Sequence, residues 1–143
     1  EAYTAFTELG GIQGYSEKLL ARLTSFDAPV NLLGFSAGGA ASWVAQAGSP
    51  VRVNSCALFY PGQIRHYLNL SAKVPVNIVF PAVETHFDVN MVAQQVNQQS
   101  RVNIEQSRYL HGFMNRLSNG FDSNGYRQYC EYIRLWNSGQ PLI

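Results

Sequence analysis

A single α/β domain, built as a mostly parallel sheet with flanking helices, is the fold class this sequence predicts. Short apolar runs bounded by turn-forming residues alternate with stretches of helical periodicity. No linker, repeat or low-complexity segment divides the chain, and 143 residues, 46% of them hydrophobic, suffice for one buried core. Strands that alternate with helices in this way are parallel and joined by right-handed crossovers.

The elements follow in order. Ile12, Tyr15, Leu19, Leu20 and Leu23 recur at helical spacing after Gly10-Gly11, and the helix ends near Ser25-Phe26-Asp27. Val30 to Phe35 is short, apolar and follows Ala28-Pro29, as a strand buried on both faces should be. Ser36 to Ala45 reads as a helix of small residues able to sit close to the sheet, ended by Gly48-Ser49-Pro50. Val51 to Tyr60 is a second strand, closed by Pro61-Gly62, and a loose connection from Gln63 to Lys73 leads to a third strand, Val74 to Pro81. Asp88 through Gln99 carries Val89, Val92 and Val96 on one helical face. Val102 to Leu110 alternates more, as expected nearer a sheet edge, and Tyr126, Tyr129, Cys130, Ile133 and Trp136 form the apolar stripe of a last helix that stops at Asn137-Ser138-Gly139.

Composition narrows the function classes. Ten basic and nine acidic side chains leave a net charge of +1 with no Lys/Arg run, so the electrostatic footprint of a nucleic-acid or anionic-membrane binder is absent. No apolar stretch approaches the ~20 residues that span a bilayer. Cys56 and Cys130 are too few for a disulfide framework and lack metal-motif spacing, which predicts reduced, buried thiols and a cytoplasmic setting.

The sharpest chemical signal is Gly34-Phe35-Ser36-Ala37-Gly38, a G-x-S-x-G at the junction of a strand and a helix. A serine there adopts a strained backbone conformation, glycines on either side leave room for passing chain, and the hydroxyl is thrust clear of the sheet. The Ala37 N–H then points, with the helix N-terminus, at the place where charge develops on a substrate carbonyl, making it one oxyanion donor. The plainer reading is a serine that only caps the helix.

A serine hydroxyl needs a base to accept its proton, and three histidines are available. His111, in Tyr109-Leu110-His111-Gly112-Phe113, follows the fourth strand and so shares the C-terminal sheet edge with Ser36. His66 and His86 lie in the connections after the second and third strands. For the acid that orients the imidazole, the segment after the third strand offers Glu84 and Asp88. Asp88 stands where it would accept hydrogen bonds from the first amides of a helix; Glu84 has no such duty and is preferred, with Asp88 as the alternative acid. The aromatic residues Tyr60, Phe80, Phe113 and Tyr126 offer lining for an acyl pocket, but large aromatics in a small domain are expected mostly in the core.

The segments Asn31 to Gly39, Phe59 to Gly62, Lys73 to Val76 and His111 to Phe113 occur in the order and rough spacing of the dienelactone hydrolase family, and the sequence resembles the C-terminal two-thirds of such an α/β-hydrolase from about Gly14 onward. The resemblance implies hydrolysis of a carboxylic ester or lactone through an acyl-enzyme, without metal or organic cofactor. The best-known members of that family use cysteine where this chain has Ser36, and usually aspartate where it has Glu84; the first difference directs the expectation away from dienelactone itself toward a serine esterase or thioesterase acting on a small-molecule ester.

Four strands beginning at the nucleophile strand leave no room for the earlier loop that supplies the second oxyanion donor in this fold, unless the Gly10-Gly11 region substitutes. The apolar strand Val30 to Phe35 would likewise be an exposed edge, an invitation to pairing. The domain 1–143 is therefore expected to be incomplete at its N-terminus, or completed by a homo-oligomeric partner. Two rivals remain: a catalytically silent binding module of the same fold, and a flavodoxin-like domain binding phosphate at Gly38-Gly39, which lacks any G-x-G-x-x-G.

Overall fold

The computed structural model describes residues 2–142. Four parallel strands, β1 (Val30–Phe35), β2 (Val53–Phe59), β3 (Val76–Phe80) and β4 (Val102–Gln106), lie in the order in which the chain makes them. The helices are α1 (Ala2–Glu8), α2 (Gly11–Leu23), α3 (Ala37–Gly48), α4 (Val89–Asn97) and α5 (Ser123–Asn137), with short 3-10 turns at Pro50–Arg52 and Gly62–His66. None of the described helices is long and apolar enough to cross a membrane.

Strand order equal to chain order has a direct packing consequence. Right-handed crossovers between successive neighbours all fall on one face of the sheet, and Trp43 and Ala45 of α3 join Val89, Val92 and Val96 of α4 in one core with Leu32, Leu58, Ile78 and Phe80. The opposite face is covered by chain that follows β4. There α5 lays Tyr129, Tyr132 and Trp136 against Ala57, Phe59 and Val79.

That single helix meets β1 only at Asn31, through Asn137, and leaves the rest of the strand's face open. Leu33 and Phe35, which share its face, stay 42% and 37% exposed, so the expectation of a strand buried on both faces holds only for Leu32 and Gly34. β1 is an edge strand, as anticipated, and β4 is the other. β4 ends at Gln106, four residues short of the predicted Leu110, and β2 begins at Val53 because Pro50–Arg52 is a 3-10 turn.

The last helix is rotated from its predicted stripe. Gly125, Tyr129, Tyr132, Leu135 and Trp136 are buried, whereas Cys130 is exposed. Cys130 lies one residue, about 100° of helix, from Tyr129, and Tyr129 is anchored by its hydroxyl donating to Glu105 Oε1 at 2.6 Å. Both thiols are free; Cys56 is buried, and that burial pushes it up to about 12. The short α1, with no buried residue, carries no stripe by which sequence could announce it.

Each strand opens on Val-Asn. The asparagine amides bond sideways at this end of the sheet: Asn54 Nδ2 donates to Asn31 Oδ1 at 2.9 Å, Asn31 Nδ2 to Asn137 Oδ1 at 3.1 Å, and Asn77 Nδ2 to the Cys56 carbonyl at 3.4 Å. The chemistry-bearing residues gather at the other end.

Candidate active site

Ser36 stands between β1 and α3 with φ 53° and ψ −119°, a left-sided conformation that costs a non-glycine residue ~1–3 kcal/mol. Its amide donates to the Phe59 carbonyl at 2.9 Å, and its carbonyl accepts from the amides of Gly39 and Ala40 at 3.0 and 3.1 Å, so the turn is clamped from β2 and from α3. Ala37 opens α3, and an amide in that first turn has no carbonyl one turn earlier to bond.

Gly34 is what lets the helix sit over the strand. A Cβ there would lie 2.5 Å from the Gly38 carbonyl oxygen and 2.7 Å from Gly39 Cα, both backbone atoms that cannot swing aside. Gly34→Ala should therefore cost ~3 kcal/mol of stability, read as a lowered midpoint in urea. A midpoint unchanged from wild type would show that α3 can shift freely, contrary to this packing.

Two chain segments bring the remaining groups to Ser36. After β3, the Ala82 amide donates to the Tyr109 carbonyl at 2.8 Å, and Gln106 Nε2 donates to the Ala82 carbonyl at 3.1 Å. These bonds zip the loop bearing Glu84 to the loop bearing His111. His111 Nδ1 lies 2.6 Å from Glu84 Oε1, and His111 Nε2 lies 3.0 Å from Ser36 Oγ. A carboxylate can only accept, so the proton sits on Nδ1 and Nε2 is left to accept from the serine hydroxyl. The Glu84 side chain is 11% exposed and that of His111 40%, so the acid is shielded while the base faces the cleft.

The structure thus separates the two carboxylates. Asp88 caps α4, accepting from the amides of Asn90 at 2.9 Å and Met91 at 3.4 Å, and Glu84 meets the imidazole. His66 and His86 do not reach Ser36; they border a cleft of about 580 Å³ together with Gln63, Arg65 and Phe87. A second cleft, about 530 Å³, runs the other way between Phe35, Tyr60, Met114, Arg116 and Tyr126. The two clefts meet at Ser36 and His111.

No family model matches the chain. A stretch of 86 residues is 29% identical to the uncharacterized protein YczH of Bacillus subtilis (strain 168), covering 59% of this chain and 42% of that protein. The chain spans less than half the length of the curated relative it matches.

The Gly10-Gly11 turn does not substitute as an oxyanion donor in this arrangement. Gly10 spends its amide on the Thr7 carbonyl at 3.0 Å, and Gly11 lines a separate groove with Phe6, Leu9 and Tyr15. Phe80 and Phe113 are core residues, as expected, but Tyr60 is both 3% exposed and on the cleft wall, its ring centroid 4.7 Å from that of His111. Sequence reasoning missed that contact. The turn Pro61-Gly62 after an apolar strand marked a sharp bend, but nothing in it announced an aromatic side chain turned back toward the histidine.

Proposed function

We propose that the protein is a serine hydrolase acting on carboxylic esters, lactones or thioesters through an acyl-enzyme formed on Ser36. The observation that carries this reading is the continuous relay of Ser36 Oγ, His111 and Glu84 at 3.0 and 2.6 Å, drawn from the ends of β1, β3 and β4. In the reading, His111 Nε2 takes the hydroxyl proton as Oγ bonds to the acyl carbon. Negative charge collects on the former carbonyl oxygen beside the Ala37 N–H. Collapse breaks the bond to the leaving group, which receives the proton from His111. Water then enters by the same path, gives a proton to His111 and bonds to the acyl carbon; collapse breaks the bond to Oγ, which takes that proton from His111, and the acid and free Ser36 are released. Glu84 holds the productive tautomer and stabilises the imidazolium at each stage.

The order Ser36, Glu84, His111 along the chain is the one α/β-hydrolases use. It supports, with the motifs named above, a place near the dienelactone hydrolases. Two clefts meeting at Ser36 provide one arm for the acyl part and one for the alcohol or thiol. The two free thiols fit a reducing compartment such as the cytoplasm, and the β1 edge is where we place a second copy or a further segment of chain.

A fluorophosphonate probe tests the reading directly. Wild type should gain one adduct, mapped by mass spectrometry to Ser36, and Ser36→Ala should gain none. A folded wild type that stays unlabelled would leave Ser36 as a turn residue in a silent module.

A further inference from the structure

We propose that Tyr60 is a positioning residue that holds the His111 imidazole in its productive plane; the proposal rests on the reading of His111 as general base. Among the described residues, the non-glycine positions with positive φ are Ser36, at 53°, and Tyr60, at 39°. An aromatic residue in that region is a strong outlier and persists only where its surroundings over-determine it. Here the Tyr60 amide donates to the Val79 carbonyl at 2.8 Å, and the Tyr60 carbonyl accepts from the Gly62 amide at 2.8 Å, fixing the bend at the end of β2.

The bend turns the ring back over the sheet edge. Its centroid lies 4.7 Å from the imidazole at a tilt of 50°, and 5.6 Å from Phe113, two residues beyond the histidine. Burial pushes the Tyr60 phenol above its ordinary range, and the Met114 backbone amide, on the same turn, works against that rise. Tyr60 therefore grips both the ring of His111 and the loop that carries it.

The relay itself leaves this job open. Bonds at Nε2 and Nδ1 both lie near the imidazole plane, so they fix a line through the ring and not rotation about that line. The Tyr60 ring packed against the imidazole stops that rotation, while His111 stays partly open to the cleft. The face of a tyrosine also favours the imidazolium that forms as the serine attacks.

The variants Tyr60→Phe and Tyr60→Leu separate the ring from its hydroxyl and from mere bulk. With p-nitrophenyl acetate, Tyr60→Phe should keep kcat within about threefold, and Tyr60→Leu should lower it ~10- to 100-fold at nearly constant KM, the scale that small misplacements of a reacting group produce. The imidazole proton resonances of His111, identified by their loss in His111→Gln, should carry an aromatic ring-current shift that survives in Tyr60→Phe and disappears in Tyr60→Leu. If Tyr60→Leu does not fold, Tyr60→Met makes the same measurement. A leucine or methionine variant with wild-type kcat, or His111 resonances unmoved by loss of the ring, would overturn the proposal. A wild type inactive on every ester would instead sink the hydrolase reading, and the resonance shifts would still decide whether Tyr60 sets the imidazole.

Discussion

Ser36→Ala and His111→Ala should each lower the turnover of p-nitrophenyl esters by ~10⁴-fold or more, and the double variant should be no slower than the worse single one. In the proposed mechanism Oγ and Nε2, 3.0 Å apart, share one proton, so removing either would abolish the same step. Additive losses would mean that the two side chains contribute separately and that the 3.0 Å contact is incidental. Neither substitution should disturb the fold greatly. The Ser36 hydroxyl is not what clamps the turn, since the clamping bonds come from its backbone, and His111 sits half exposed on a loop. Circular dichroism and melting of both variants would check this. Retention of the wild-type rate in either would place the chemistry elsewhere.

The second large effect concerns the acid. Glu84→Gln should reduce kcat by ~10² to 10⁴. The substitution keeps the shape, but an amide nitrogen turned toward Nδ1 would donate, forcing the imidazole proton onto Nε2 and leaving no acceptor for the serine hydroxyl. Asp88→Ala is the contrasting case. It removes the side-chain acceptor for two amides at the start of α4, so it should cost ~0.5–2 kcal/mol of stability and leave kcat close to wild type. Paired kinetics and urea unfolding of the two variants check the division. A slow Asp88→Ala beside a fast Glu84→Gln would reverse the roles.

The parts of the fold and site that sequence made legible are those set by local chemistry. G-x-S-x-G names its own turn because a Cβ at position 34 would strike the backbone four and five residues on, at Gly38 and Gly39. Asp88 declared itself a cap because an aspartate just before a helical stripe has an obvious hydrogen-bonding role, and that freed Glu84 for the histidine. His111 followed from its place after β4. What stayed hidden depends on which elements cover which. Leu33 and Phe35 look like core residues until the reach of α5 is known, and Cys130 shares a helix with Tyr129 and Trp136 without sharing their face. Tyr60 was the hardest to foresee, since its conformation runs against the preference of its residue type.

Ser36, Glu84 and His111 hang from the ends of three different strands, and β2, which bears none of them, lies between the first and the other two. The distance across the relay is therefore a readout of strand registration. A parallel neighbour displaced by two residues keeps its inward and outward faces, yet it carries its terminal loop ~6.6 Å along the sheet, more than twice the 3.0 Å that joins serine to histidine. Such a misaligned chain would bury nearly the same apolar surface and still be unable to pass a proton.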